Sequence, residues 1–359
     1  MTALCRATVD TLALNHNLRR IRELSDGAKV LAVIKANAYG HGLVPVAKAL
    51  CDADALAVAR IEEAVALRAA GVGQRLVLLE GVFNQNQLEL AAANACDLVV
   101  HSHEQLELLE AFGRNSRFAV WLKIDTGMNR LGFRPEEFSM VLARLRNLHA
   151  VREELVLMTH LANADMLSSD ATSTQLALFE ETTRGVEAER SIANSAGLLS
   201  WPESRAQWVR PGLALFGVSP IAGKTGEELG LKPVMRLGTE LIAIRKVAAG
   251  ESVGYGSAWS ATRDCRIGVA AIGYGDGYPR HLGNGTPVLL GDSRIPLVGR
   301  VSMDMITVDL TDHPEARVGD SLTLWGAGLP VEELAQLAGT IPYEMLCGVT
   351  QRVAVQYLK

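Results

Sequence analysis

The sequence predicts an α/β protein, a parallel (β/α)8 barrel followed by a mainly β carboxy-terminal domain. Three observations lead there. Eight short apolar runs recur between residues 30 and 216, stretches with helical spacing separate most of them, and from about residue 238 the texture changes to strand-like segments divided by glycine- and aspartate-rich turns. Strands covered on both faces by helices read as continuous apolar runs, the pattern of a closed parallel sheet.

In chain order the runs are VLAVI (30–34), ALAVA (55–59), LVLL (76–79), DLVV (97–100), FAVWLKI (118–124), LVLMT (155–159), SIA (191–193) and LALF (213–216). Between them, RIEEAVALRAAG (60–71) places Ile61, Ala64 and Val65 at helical spacing with Gly71 as a stop, and HEQLELLEAFG (103–113) reads the same way. The later segments TELIAIRKV, RIGVAAIGY, PVLL, MITVDL and SLTLW have strand character, and VEELAQLA alone has a helical period. The expected division is therefore a barrel over 1–237 and a β domain over 238–359, with the residues before Asn15 free to pack with either.

Size and composition narrow the function. A chain of 359 residues can build a large barrel plus a second core. A net charge of -5 with 21% charged residues and no Lys/Arg run gives no footprint for nucleic acid or an anionic membrane. No apolar run approaches the roughly 18 to 20 residues that span a bilayer, and the amino terminus carries no secretion signal, so a cytoplasmic location is expected. Five scattered cysteines form neither a zinc-knuckle spacing nor a disulfide framework and read as mostly buried thiols. His101 and His103 have no accompanying carboxylate or cysteine cluster, so no metal is expected.

In such a barrel the active face is built at the carboxy-terminal ends of the strands, and those ends carry Lys35, Lys123, His160, Asn194 and Ser195. Lys35 follows VLAVI at once and is itself followed by ANAYGHG, which cannot extend a strand. A lysine there can be a surface residue leaving the core, a general base, a phosphate ligand or a Schiff-base amine. The residues alone leave these open.

AVIKANAYGHG closely resembles the pyridoxal-phosphate-binding segment of the alanine racemases, in which the lysine holds the cofactor's aldehyde. KIDTGMNRLGF (123–133), NSAG (194–197), WVRPGLALFG (208–217), VGYGSAW (253–259), IGYGDGYPR (272–280), VGRVSMDM (298–305) and IPYE (341–344) resemble the same family in the same order, over nearly the whole chain.

The resemblance implies an isomerase that interconverts L- and D-alanine with pyridoxal 5′-phosphate. Lys35 is then the base for the D-enantiomer and Tyr255 its counterpart on the other face, because racemisation needs two proton carriers on opposite sides of Cα. A tyrosine is a poor base at neutral pH unless cations stabilise its phenolate, and the family supplies a chain through His160 to Arg210. Arg210 is expected at the pyridine nitrogen, which it leaves unprotonated. Tyr39, Ser195, Gly212, Leu213 and Tyr343 are expected around the phosphate, with Asn194 beside them. Arg130 and the backbone at Met303 are expected to hold the substrate carboxylate, with a carbamate on Lys123 holding Arg130. Tyr274 and Tyr278 would line an access corridor. Lys35 and Tyr255 lie in different expected domains, and in the family two subunits pack head to tail so that each site takes its tyrosine from the partner. A homodimer with shared sites follows.

Two neighbouring readings are a racemase of broader small amino-acid specificity, since a pocket rejects slightly smaller groups weakly, and a decarboxylase of the same fold. The decarboxylase would place a carboxylate where WVRPG places Arg210.

Overall fold

The computed structural model describes residues 4–113 and 116–358. The first strand, β1 (Arg6–Asp10), is followed by eight strands of a closed parallel barrel: β2 (Lys29–Val33), β3 (Ala55–Val58), β4 (Leu76–Leu78), β5 (Cys96–Val100), β6 (Phe118–Lys123), β7 (Val151–Met158), β8 (Glu189–Ser191) and β9 (Trp208–Val209). Each pairs in parallel with the next, and β9 closes on β2 through Lys29↔Trp208 and Val30↔Val209. Leu31, Leu56, Val77, Val99, Val120 and Leu157 are fully buried, as strands lined on one side by the barrel interior and on the other by helices require.

Two runs differ from the sequence reading. LALF is not the eighth strand: Leu213–Phe216 is a fully buried 3-10 helix, and the eighth barrel strand is the two-residue β9 before it. Pro211 still accepts from Val33 N at 2.9 Å but has no N–H to donate, so pairing goes no further and the apolar run that follows is buried without being paired. The seventh barrel strand covers 189–191 rather than 191–193, since Glu189 and Arg190 pair with Val156 and Leu157 despite their polarity. The helices over 60–71 and 103–113 form as Ile61–Ala69 and His103–Glu110. The first starts where Glu63 Oε2 accepts from the Ala59 and Arg60 N–H groups at 2.9 and 3.2 Å, and it stops at Gly71, whose φ of 80° favours glycine.

Contacts divide the chain into two units, one of Asn17–Leu215 with Pro220–Gly223, the other of the residues up to His16, Phe216–Ser219 and the chain from Lys224 on. The second unit is mainly β, with β10 (Met235–Val247), β11 (Ser252–Val253), β12 (Trp259–Ser260), β13 (Cys265–Ala270), β14 (Pro287–Leu290), β15 (Ser293–Pro296), β16 (Ile306–Asp309), β17 (Ser321–Trp325) and β18 (Ala354–Leu358). Its main sheet runs β15-β14-β17-β10-β1-β18, and β13 and β16 extend from β10. β1 sits inside that sheet, antiparallel to β10 and parallel to β18, with Ala7 and Val9 buried beneath it.

The barrel's amino-terminal end is closed by a charged aromatic plug. Arg75 lies over the rings of Trp121 and Trp208 at 5.7 and 5.3 Å and pairs with Asp97 at 2.5 Å. Trp121 Nε1 donates to Asp97 at 3.1 Å, and Trp208 Nε1 donates to Glu189 at 2.6 Å. Cations on aromatic faces and indole N–H groups on carboxylates satisfy the polar atoms such a plug buries.

Cys5, Cys96 and Cys265 are buried thiols, whereas Cys51 and Cys347 are exposed. Among the described residues no helix is long and apolar enough to cross a membrane.

Candidate active site

The chemistry-bearing residues of the barrel gather at the carboxy-terminal strand ends. Lys35 stands two residues past β2, Lys123 ends β6, His160 is two past β7, Asn194 and Ser195 follow β8, and Arg210 follows β9.

Lys35 opens a segment with an unusual backbone. Ala36, Asn37, Ala38 and Tyr39 have φ of 53–54°, a left-handed turn made without glycine. Each such residue costs about 1–2 kcal/mol in an L-chain, so the turn persists only if its surroundings over-determine it. They do. Gly40 N donates to Ala36 O and Gly42 N to Asn37 O, Leu43 N donates to Asn37 Oδ1 at 2.9 Å, and buried His41 Nδ1 lies 3.1 and 2.9 Å from the carbonyls of Ala38 and Tyr39. Carbonyls only accept, so His41 carries its proton on Nδ1. Burial pushes its pKa down to about 4 and keeps the ring neutral.

The turn delivers Tyr39 to Gly212. A Cβ on residue 212 would stand 2.3 Å from Tyr39 Oη, so any other residue there would have to displace that phenol. Beside it, Ser195 Oγ accepts from the Gly212 N–H at 2.9 Å and the Ala214 N–H at 3.3 Å. Asn194 caps the helix Ser195–Ser200 by accepting from Gly197 N at 2.9 Å, and its Nδ2 donates to Leu161 O at 3.2 Å. Leu213 opens the 3-10 helix after Gly212. Hydroxyls and backbone N–H groups thus converge where a phosphate could take them.

Arg210 is buried and held by acceptors on two strand ends. Nη1 donates to Ser191 Oγ at 2.9 Å, and Nη2 donates to Thr159 O at 2.6 Å and Ile192 O at 3.1 Å. Nη2 also lies 3.5 Å from His160 Nδ1. All these bonds run through Nη1 and Nη2, and among the described residues none uses Nε, so the guanidinium keeps a donor for a ring nitrogen. Burial draws its pKa down to about 10, which leaves it charged at neutral pH.

Positive charge accumulates here although the chain as a whole is acidic. Burial, then Arg210 and Arg130, push the Lys123 amine down to about 8, with Asp125 opposing and Lys35 adding to the effect. Burial and the cations Arg210, Lys123, Arg130 and Lys35 hold His160 well below its ordinary pKa. Arg130 is exposed on the loop after β6, in which Asp125 Oδ1 accepts from Gly127 N and Asn129 N, both at 3.0 Å.

Five predicted site residues lie in the β unit. Tyr255 begins the 3-10 turn Tyr255–Ser257 and is 65% exposed. Met303 is exposed, its carbonyl accepting from Gly275 N at 2.9 Å, and Arg352 braces the two turns by pairing with Asp276 and Asp304 at 3.2 and 2.5 Å. Tyr274 is 40% exposed under the guanidinium of Arg280, 5.6 Å away. Tyr343 lies in the first turn of the helix Pro342–Cys347. Tyr278, by contrast, is fully buried, stacks on Trp325 at 6.4 Å and shares with Tyr274 the lining of one cavity.

Among the described residues no cluster of three or more metal-ligating side chains occurs. His101 Nε2 engages Glu80 O at 3.0 Å, and His103 pairs with Glu137 at 2.9 Å. Sequence reasoning passed over Asp125, whose Asx turn shapes the Arg130 loop, and Ser191, Thr159 and Ile192, which hold Arg210. The aspartate was legible in the IDTGMN turn chemistry; the acceptors, two of them backbone carbonyls, left no signal.

The model of the alanine racemase amino-terminal domain matches residues 9–220, and that of the alanine racemase carboxy-terminal domain matches 234–357. An alanine racemase of Shewanella amazonensis is 52% identical over 356 residues, covering 98% of each chain, and one of Vibrio vulnificus is 51% identical over 351 residues, again covering 98% of each. Among solved structures, the biosynthetic alanine racemase of Pseudomonas aeruginosa superposes with a TM-score of 0.96 at 48% identity and full coverage of both chains. The alanine racemase of Bartonella henselae with covalently bound pyridoxal phosphate gives 0.88 at 30% identity, covering 99% of this chain and 100% of the other. With its barrel, its β unit and its site residues in this order, the chain belongs to the alanine racemase family.

Proposed function

We propose that the protein is a pyridoxal-phosphate-dependent isomerase of the cytoplasm that interconverts L- and D-alanine, working as a homodimer. The observation that carries the reading is the cluster of Lys35, Lys123, Arg130 and Arg210 around a neutral His160 at the strand ends. Such a site suits a ligand pair with a phosphate and a carboxylate.

When bound, the cofactor supplies an electron sink for the pair left at Cα as its proton departs. Lys35 would hold its aldehyde carbon, and Tyr39, Ser195, the Gly212 and Leu213 N–H groups and Tyr343 its phosphate. Arg210 would donate to the pyridine nitrogen, and an arginine does not surrender that proton, so the nitrogen stays unprotonated and the sink is restrained. A restrained sink favours return of the proton to Cα.

Lys35 takes and returns the Cα proton on the face of D-alanine, and the partner subunit's Tyr255 does so on the face of L-alanine. Because Arg210 can only donate to His160 Nδ1, the imidazole proton sits on Nε2, from which it can support a phenolate. Arg130 and the Met303 backbone orient the substrate carboxylate. Lys123, buried and with its pKa lowered to about 8, has an amine free enough to accept carbon dioxide, and the resulting carbamate would neutralise the cations around it and hold Arg130. The exposure of Tyr255 and Met303 supports their use by a second subunit.

The test is racemisation of L-alanine followed by chiral chromatography, with the visible cofactor band recorded for wild type, Lys35→Ala and Tyr255→Phe. Wild type should form D-alanine, Tyr255→Phe should keep the band and lose most turnover, and Lys35→Ala should lose both. A wild type that binds cofactor and leaves alanine unchanged would refute the assignment.

A further inference from the structure

Gln175 lies on the helix Ala171–Thr183 and is buried. Its Oε1 accepts from the Ala162 N–H at 2.8 Å, and its Nε2 donates to the His160 carbonyl at 3.1 Å. One primary amide thus serves an acceptor and a donor two residues apart, as a neighbouring strand would, in a segment past the end of β7 where the ladder has stopped. Nε2 also approaches Thr126 Oγ1 at 3.4 Å, and that hydroxyl is 2.8 Å from Thr159 Oγ1, the residue just before His160. The helix, the end of β7 and the start of the loop after β6 are tied at this one side chain. Gly127 packs beside it: a Cβ there would be in van der Waals contact with Gln175 Cγ at 3.4 Å.

The ring of His160 meets Arg210 only at the long limit of a hydrogen bond, so that contact alone does not fix its position. Gln175 fixes the backbone that bears the ring. It uses only backbone atoms of residues 160 and 162, and both ring nitrogens of His160 stay available for the relay.

We propose that Gln175 is a positioning residue for proton transfer on the L-alanine face, acting by holding the His160–Ala162 backbone and so placing the His160 imidazole. The proposal rests on the roles given above to His160 and to the partner subunit's Tyr255. Its signature is an asymmetry. Loosening His160 should slow the tyrosine's proton transfer and leave that of Lys35 largely intact.

The experiment compares wild type with Gln175→Met, which fills the same space without the amide. Turnover is measured with L- and D-alanine carrying deuterium at Cα, together with cofactor content, melting temperature and a crystal structure. Turnover should fall about tenfold, less than the roughly 100-fold or more that outright loss of an acid–base group costs. The isotope effect should rise with deuterated L-alanine and fall with deuterated D-alanine, and the 160–162 segment should be displaced while the barrel strands keep their places. Where Gln175→Met binds too little cofactor to assay, Gln175→Glu carries the same test, since a carboxylate accepts from Ala162 and cannot donate to His160. Unaltered isotope effects, a turnover loss no larger than the loss of cofactor, or an unmoved segment would overturn the proposal while the two-base reading stands. A wild type with no isotope effect on either enantiomer would overturn that reading and the proposal with it.

Discussion

Arg210 Nη2 stands 3.5 Å from His160 Nδ1, and this approach favours one imidazole tautomer over the other. A guanidinium has no lone pair to offer, so in a neutral imidazole this neighbour favours Nδ1 as the acceptor and Nε2 as the protonated nitrogen. The same cation, with burial, disfavours imidazolium. Both effects point the donor away from Arg210 and toward whatever phenolate the site receives.

The first consequence concerns acid stability. His160 has a folded-state pKa held below its unfolded value of 6.5, so the unfolded chain binds the extra proton first as pH falls. The stability that neutral His160 allows is present above pH 6.5 and lost below it. Denaturant titrations from about pH 7.5 to 5.5, one unit either side of that ordinary histidine value, should show wild type losing stability faster than His160→Gln. Parallel curves would mean that His160 ionises normally in the folded protein.

Lys123 gives the same sign in an alkaline window. Its amine is lowered from 10.5 to about 8, so between those values the unfolded chain holds the proton that the folded chain has released, and stability should rise with pH across that range relative to Lys123→Met in buffer free of carbon dioxide. With ¹³C-bicarbonate near neutral pH, a carbamate carbon resonance should appear in wild type and be missing from Lys123→Met. No such resonance at any bicarbonate concentration would remove the carbamate from the account.

Gly212 tests the phosphate cradle. A methyl group there would press on Tyr39 Oη, 2.3 Å away, and the left-handed turn behind Tyr39 leaves little room to retreat. Overpacking of this kind costs about 1–3 kcal/mol, and here it falls on the groups proposed to hold phosphate. Gly212→Ala should weaken cofactor binding at least tenfold, the equivalent of about 1.4 kcal/mol, as read by titration of the visible band. Unchanged affinity would show that the cradle lies elsewhere.

The barrel's other end should behave differently. Arg75→Ala removes the cation over Trp121 and Trp208 and leaves Asp97, whose side chain is only 9% exposed, without its ion pair. A loss of about 1–3 kcal/mol in unfolding free energy should follow. Turnover should hardly change, because the amino-terminal strand ends carry stability rather than chemistry.

The barrel was readable because buried parallel strands leave apolar runs, and its active end because Lys35, Lys123 and His160 stand where such runs stop. The misread strand shows the limit: LALF is apolar because Leu213–Phe216 is buried, and burial alone does not distinguish a strand from a 3-10 turn. Trp208–Val209 was too short to register. The left-handed turn at 36–39 was hidden because alanine and tyrosine carry no signal for that conformation; it is imposed by His41, Asn37 and the glycines that follow. Arg210 could be singled out by resemblance, but its clasp by the Thr159 and Ile192 carbonyls joins residues about 50 and 18 positions apart, beyond any local pattern.

In the proposed dimer one substrate carbon is served by Lys35 of one subunit and Tyr255 of its partner. Co-expression of Lys35→Ala and Tyr255→Phe chains tests it most directly. Each homodimer alone should be nearly inactive. In a random mixture about half the dimers pair one chain of each kind, and each of these has one site with both bases and one with neither. The mixture should therefore regain about a quarter of wild-type racemisation, since half of the dimers carry one working site out of two. A mixture no more active than the separate variants, with mixed dimers demonstrably present, would contradict a site shared between two chains.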